Sequence, residues 1–275
     1  VARAATRRQK ILVFEGCYHG HGESLMAGKS AGIPAPLSRQ VVSVPFNDPE
    51  AFSAAIRTHA RELACVIIEP VAANIGVVAP QPGFLARVRE LTRSHGILLI
   101  FDEVVTGFRV GPAGAQGLFG VTPDLTTLGK IIGGGLPIGA VGGPARLMRQ
   151  LAPEGPVYHG GTFAGHPLSM AAGMAVLRQL REDPPYERLD REAGRLEQQV
   201  ARAAADAGVR LHINRVGSMF TVFFSNRRQF ATWAQGLRRR GIVIPPSPDE
   251  SLFVSIAHRR PHLDVLVEPQ RGHAD

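Results

Sequence analysis

The chain has 275 residues, 44% apolar and 20% charged, with 31 lysines and arginines against 23 acidic residues, for a net charge of +8. It can bury a sizeable core as one large domain or two unequal ones. A disulfide scaffold is excluded because it has only two cysteines, Cys17 and Cys65, and a membrane span because no run of about 18 apolar residues occurs. The charge does not point to nucleic acid: Arg7-Arg8, Arg238-Arg239-Arg240 and Arg259-Arg260 lack interleaved aromatics, which make up 6% of the chain.

From residue 40 to about 140 short apolar runs alternate with amphipathic stretches, the pattern of an α/β domain with a largely parallel sheet. A helix is expected from Pro49 to Leu63, then a buried strand over Cys65-Val66-Ile67-Ile68. Pro82-Gly83-Phe84 opens a helix that runs through His95, with Phe84, Val88 and Leu91 on one face and Gly96 as its stop. A second buried strand follows over Ile97–Phe101, and a short strand precedes Lys130. A long helix is expected over Leu168–Arg181, a break at Asp183-Pro184-Pro185, and a charged helix over Tyr186–Ala207. A strand over Met219–Phe224, a helix around Phe230–Arg240 and a strand over Leu252–Ile256 make up a small α+β unit. The expected division is a large domain over 1–175 and a small one over 176–275.

Only three of the basic residues are lysines. Arginine stays protonated, whereas a lysine in an apolar setting can release its proton and condense with an aldehyde, so Lys130, in Leu125-Thr126-Thr127-Leu128-Gly129-Lys130, is the Schiff-base candidate. Asp102 falls where the Ile97–Phe101 strand leaves the sheet, the edge at which open α/β sheets bind ligands. Taken alone, an Asp in this place is more often a helix cap or turn residue. No metal-ligand spacing stands out. The N-terminus shows no secretory leader, and the two cysteines suit a reducing compartment, so a cytoplasmic location without membrane association is expected.

Five segments together resemble the class-III pyridoxal-phosphate aminotransferases, and within them the aminomutase branch: Gly16-Cys17-Tyr18-His19-Gly20-His21, Glu69-Pro70-Val71, Phe101-Asp102-Glu103-Val104, Thr106-Gly107-Phe108-Arg109, and Thr126 to Pro137. The resemblance runs from residue 1 to about 258. It implies the large domain of a fold-type-I pyridoxal-phosphate transferase, with a mostly parallel sheet and flanking helices, and a small C-terminal α+β domain. It further implies amino-group transfer on a small amino or oxo substrate with pyridoxal 5′-phosphate as cofactor. Lys130 would carry the cofactor and then shuttle protons, and Asp102 would pair with the ring nitrogen. Tyr18 and Val104 would cover the two ring faces, and Asn74 would lie near the ring hydroxyl. Thr162, in Gly160-Gly161-Thr162 before a helix, would meet the phosphate of a neighbouring subunit's cofactor, making a homodimer with a shared site. Glu250 would face substrate.

Two departures from the family pattern carry expectations of their own. The chain opens at Val1-Ala2-Arg3-Ala4-Ala5-Thr6, which corresponds to the interior of a helix following the family's main phosphate loop, so the chain is expected to be N-terminally truncated and weakened in cofactor binding. The stretch from His21 to Val41 is shorter than the aminomutase lid, which favours release of an intermediate and ordinary transamination with another amino donor. A non-catalytic remnant or interaction subunit is the third reading. The segment Arg259–Asp275 lacks the amphipathic helix expected to close the small domain.

Overall fold

The computed structural model describes residues 1–26 and 30–266. Residues 27–29 of the expected short lid and 267–275 of the C-terminal segment lie outside the described residues. The chain divides into two compact units, 1–72 with 80–183, and 73–79 with 184 onward, so the later break falls at the Asp183-Pro184 step.

In the first unit the strands are β1 (Lys10–Phe14), β2 (Val41–Val44), β3 (Leu63–Ile68), β4 (Leu98–Asp102), β5 (Leu125–Gly129) and β6 (Gly139–Gly142). They form one sheet of order β2-β1-β3-β4-β5-β6, parallel throughout except for antiparallel β6 at the edge. Its helices are α1 (Ala2–Thr6), α2 (Ala35–Ser38), α3 (Pro49–His59), α4 (Phe84–Ser94), α5 (Gly114–Phe119), α6 (Ala145–Met148) and α7 (Pro167–Glu182). This is the expected α/β class.

Alternation along the strands sends side chains to two faces. On one, Phe14 packs against Phe52 of α3 and Phe84 of α4, with ring centroids 5.9 and 5.7 Å away. On the other, Ile11, Val13, Cys65, Ile67, Leu98 and Leu125 form a cluster with Ala2 and Leu147. Burial on that face pushes the Cys65 thiol up to about 12, against a small downward pull from Arg3.

Helix α3 begins as its sequence dictates, with Pro49 in the first turn and Asp48 accepting from the Glu50 and Ala51 amides. It stops at His59, short of the expected Leu63. Leu63 is fully buried as the first residue of β3, and the Glu62 carbonyl turns to accept from the Gln9 and Lys10 amides. Sheet burial overrides the helical pattern there.

The second unit holds α8 (Tyr186–Asp206), β7 (Leu211–Val216), β8 (Met219–Phe224), α9 (Arg227–Arg239), β9 (Leu252–Phe253) and α10 (Arg260–Asp264). Its sheet is antiparallel, in the order β7-β8-β9. Leu189, Ala193, Leu196 and Val200 line one stripe of α8 and pack on Phe220, Val222 and Val254. The strand expected over Leu252–Ile256 keeps only its first two residues. A turn closed by His258, whose Nδ1 accepts from the Ser255 amide and whose own amide donates to the Ser255 carbonyl, ends it.

Residues 73–79 pack within this unit. Gly76, at φ +98°, lies so close to Phe223 that a β-carbon would stand 2.0 Å from the ring. Its carbonyl accepts from Asn214 Nδ2 at 2.8 Å. Only glycine meets both demands. No helix among the described residues is long and apolar enough to cross a membrane.

Candidate active site

The polar residues of interest gather where β1, β3, β4 and β5 end, at the carboxyl edge of the parallel sheet. Asp102 is the last residue of β4 and is almost fully buried. Its Oδ2 lies 2.7 Å from His19 Nδ1, and its Oδ1 accepts from the Val104 amide at 3.1 Å. A carboxylate offers about four acceptor positions, so these two donors leave room for a further one.

Lys130 directly follows β5, the strand paired with β4 in a register that sets Asp102 beside Thr127. The amine and the acid therefore share one edge, on neighbouring strands. Lys130 is exposed and has φ +47°, a left-handed conformation uncommon for a non-glycine residue and concentrated at functional sites. Val104 packs over Gly129, its Cγ1 3.2 Å from where a β-carbon on that glycine would stand. Thr127 Oγ1 is buried and finds no hydrogen-bond partner among the described residues. Helix α7 sets Ser169 and Gly173 against the segment after the lysine, and Ser169 Oγ donates to the Pro137 carbonyl at 3.0 Å.

The loop after β1 brings in Tyr18, whose amide donates to Glu69 Oε2 at 3.1 Å while its side chain stays 52% exposed. Glu69, just past β3, is buried. Glu103 points to the sheet face opposite Asp102 and accepts from Thr106 Oγ1, the Ala115 amide, the Gln116 amide and Gln116 Nε2 at 2.7–3.1 Å. Gly114, at φ +59°, lets α5 reach this carboxylate: a β-carbon there would stand 2.2 Å from Glu103 Oε2. The two consecutive acids thus divide the work, one opening to the edge and one tying the loop 103–116 to the sheet.

Of the residues expected from sequence, Tyr18, Asp102, Val104 and Lys130 lie on the loops and strand ends of this one edge. Thr162 stands exposed in the turn before α7, in which the Ala164 amide donates to the Gly161 carbonyl at 2.9 Å. Asn74 and Glu250 belong to the second unit, where Ser251 Oγ, next to Glu250, donates to the carbonyl of Ala73, next to Asn74, at 2.6 Å. His19, Glu69 and Glu103 carry contacts that sequence reasoning did not assign. Their signal was position: His19 follows Tyr18 directly, and both acids stand just beyond apolar runs. Among the described residues no group of His, Cys, Asp and Glu side chains could hold a metal ion.

The class-III aminotransferase family matches residues 1–258. The chain is similar to glutamate-1-semialdehyde 2,1-aminomutase 2 of Brevibacillus brevis, at 46% identity over 98% of this chain and 68% of that protein. In three dimensions it is similar to an omega-transaminase from Sphaerobacter thermophilus, with TM-score 0.89, 34% identity, and 97% of this chain and 68% of that one covered. It is also similar to a glutamate-1-semialdehyde-aminomutase from Pseudomonas aeruginosa in complex with PMP, with TM-score 0.82, 28% identity, and 96% of this chain and 65% of that one covered. The chain spans about two thirds of the length of these proteins.

Proposed function

The chain belongs to the class-III aminotransferase family, and we propose that it is a pyridoxal-phosphate enzyme converting glutamate-1-semialdehyde to 5-aminolevulinate, a step of tetrapyrrole precursor synthesis. The observation that carries the reading is the placement of Lys130 and Asp102 at the ends of the paired parallel strands β5 and β4. An amine that can hold an aldehyde and an acid that can hold a ring N–H then face one edge.

The residues present fit that cofactor. Asp102 retains free acceptor capacity after its two hydrogen bonds, Lys130 is exposed at the edge, and Thr127 Oγ1 is buried without a partner among the described residues. Bound there, pyridoxal phosphate supplies an aldehyde for amines and a ring that draws electrons from the bond being broken. Lys130 Nζ would hold the aldehyde carbon, then take a proton from one substrate carbon and return it to another. Asp102 would keep the ring nitrogen protonated. Tyr18 and Val104 would hold the ring flat from its two faces, and the family resemblance gives Asn74 a role near the ring hydroxyl and Glu250 one toward substrate.

A homodimer in which Thr162 serves the partner's cofactor phosphate is supported by the apolar surface beside it. Phe163, Leu168 and Met174 are 78%, 67% and 60% exposed, apolar side chains that a second copy would cover. Two free, buried cysteines agree with a cytoplasmic enzyme.

A second reading, transamination between separate substrates, is favoured by one observation: the structural match to an omega-transaminase is tighter than that to an aminomutase. Incubation with glutamate-1-semialdehyde as sole substrate separates the two. A mutase accumulates 5-aminolevulinate over many turnovers, whereas a transaminase stops at about one amino group per site until an oxo acid is added.

A further inference from the structure

We propose that a second ligand site, independent of the cofactor reading above, lies at the amino-terminal edge of the large sheet, where an arginine-lined cavity takes a small anion carrying a diphosphate group.

The cavity, of about 780 Å³, opens where β4 and β5 begin, among residues from α1, α4 and α6 and the segments next to them. Its wall carries Arg8, Arg89, Arg93 and Arg146 against a single acid, Asp124. That acid is already committed, since its Oδ2 accepts from Arg89 Nη1 at 2.7 Å and from the Leu99 amide at 2.8 Å. Arg8 is fixed in place by its Nη1, which donates to the carbonyls of Leu63, His95 and Gly96 at 3.1–3.2 Å. Arg93, in the last turn of α4, and Arg146, in α6, are exposed, and their side chains make no ion pair or hydrogen bond among the described residues.

The one carboxylate neutralises one guanidinium and leaves three uncompensated around a single concave wall. Like charges held together repel one another and raise the local potential, the arrangement that draws in an anion. Guanidinium groups grip phosphate oxygens as bidentate forks, and two unpaired ones on separate helices beside a fixed third suit two adjacent anionic groups better than one carboxylate. No aromatic side chain lines the wall, so bases have nothing to stack on and the phosphates carry the recognition. Leu98 and Leu147 line it as well, and a cavity of this size has room for more than the diphosphate alone. Strand β4 runs from this cavity to Asp102, so the site stands on the order of 13 Å from the carboxyl edge, at the other end of the same strand.

Isothermal titration calorimetry on the full chain at low salt tests the site, with inorganic pyrophosphate, ADP and inorganic phosphate as probes. Pyrophosphate and ADP should bind, and inorganic phosphate should bind at least about tenfold more weakly. Arg93→Gln and Arg146→Gln should each weaken pyrophosphate about tenfold, and added salt should weaken it in the unsubstituted protein. ADP binding tighter than pyrophosphate supports a nucleotide as the source of the diphosphate, and equal or weaker ADP binding supports the free diphosphate. No binding of any probe, inorganic phosphate binding as tightly as pyrophosphate, or a pyrophosphate isotherm unchanged by both substitutions would overturn the assignment. A second measurement needs no variant: in phenylglyoxal modification followed by peptide mapping, pyrophosphate should protect Arg93 and Arg146 and leave Arg57, exposed on α3, unprotected. Equal modification of Arg93 and Arg146 with and without pyrophosphate would overturn it.

Discussion

Oδ2 of Asp102 and Nδ1 of His19 lie 2.7 Å apart although 83 positions separate them in the chain. The bond joins the loop after β1 to the end of β4, with β3 lying between those strands in the sheet. It ties two loops together at the carboxyl edge of the sheet.

Asp102→Asn should leave the fold intact and remove the chemistry. The amide keeps the size of the acid but cannot balance a positive ring nitrogen, so kcat/KM should drop by about tenfold to a hundredfold, with an unchanged far-ultraviolet spectrum. Steady-state kinetics beside circular dichroism check this, and full activity in Asp102→Asn would contradict the role assigned to the acid.

Glu103 should matter to stability instead. Glu103→Ala would leave the Ala115 and Gln116 amides and the Thr106 hydroxyl without their shared acceptor, costing about 3 kcal/mol. Gly114→Ala should also destabilise, because its β-carbon would collide with the same carboxylate at a left-handed backbone position. Urea denaturation of each variant measures the loss.

The Cys65 thiol has a sign that can be checked. Its ordinary value is 9.0 and burial raises it to about 12, so in the unfolded chain it ionises first. Over that window the unfolded state binds fewer protons, and stability falls as pH rises by about 1.4 kcal/mol per unit from this group, with nothing lost below pH 9. Urea melts of wild type and Cys65→Val across that range should show the slope only in wild type.

Met170 and Met174, one helical turn apart on α7, are both exposed. If this face meets a second copy, Met174→Glu should shift the sedimentation coefficient toward that of a monomer and weaken cofactor retention together.

The sequence was most legible where apolar runs end in charge. β3 and β4 could be read because uninterrupted apolar runs stop at Glu69 and at Asp102-Glu103. Helix α8 could be read from its alternating charge, and the structure adds the buried stripe Leu189, Ala193, Leu196 and Val200. What stayed hidden depended on partners distant in the chain. That Asp102 faces the edge while Glu103 faces the loop 103–116 follows from strand alternation once β4 is placed, not from the order of the two acids. His19 looks like any histidine beside glycine until Asp102 stands next to it. Strand β7 has a mixed burial pattern because Asn214 and Arg215 serve Gly76, Asp190 and Glu197.

The central claim is that the ε-amine of Lys130 holds an aldehyde cofactor, and borohydride trapping followed by peptide mapping tests it most directly. After incubation with pyridoxal phosphate and reduction, the account expects a stable pyridoxyl group on Lys130, with little label on Lys10, which is engaged with Glu62 at 2.9 Å. Label spread evenly over the lysines, or absent from Lys130, would contradict it.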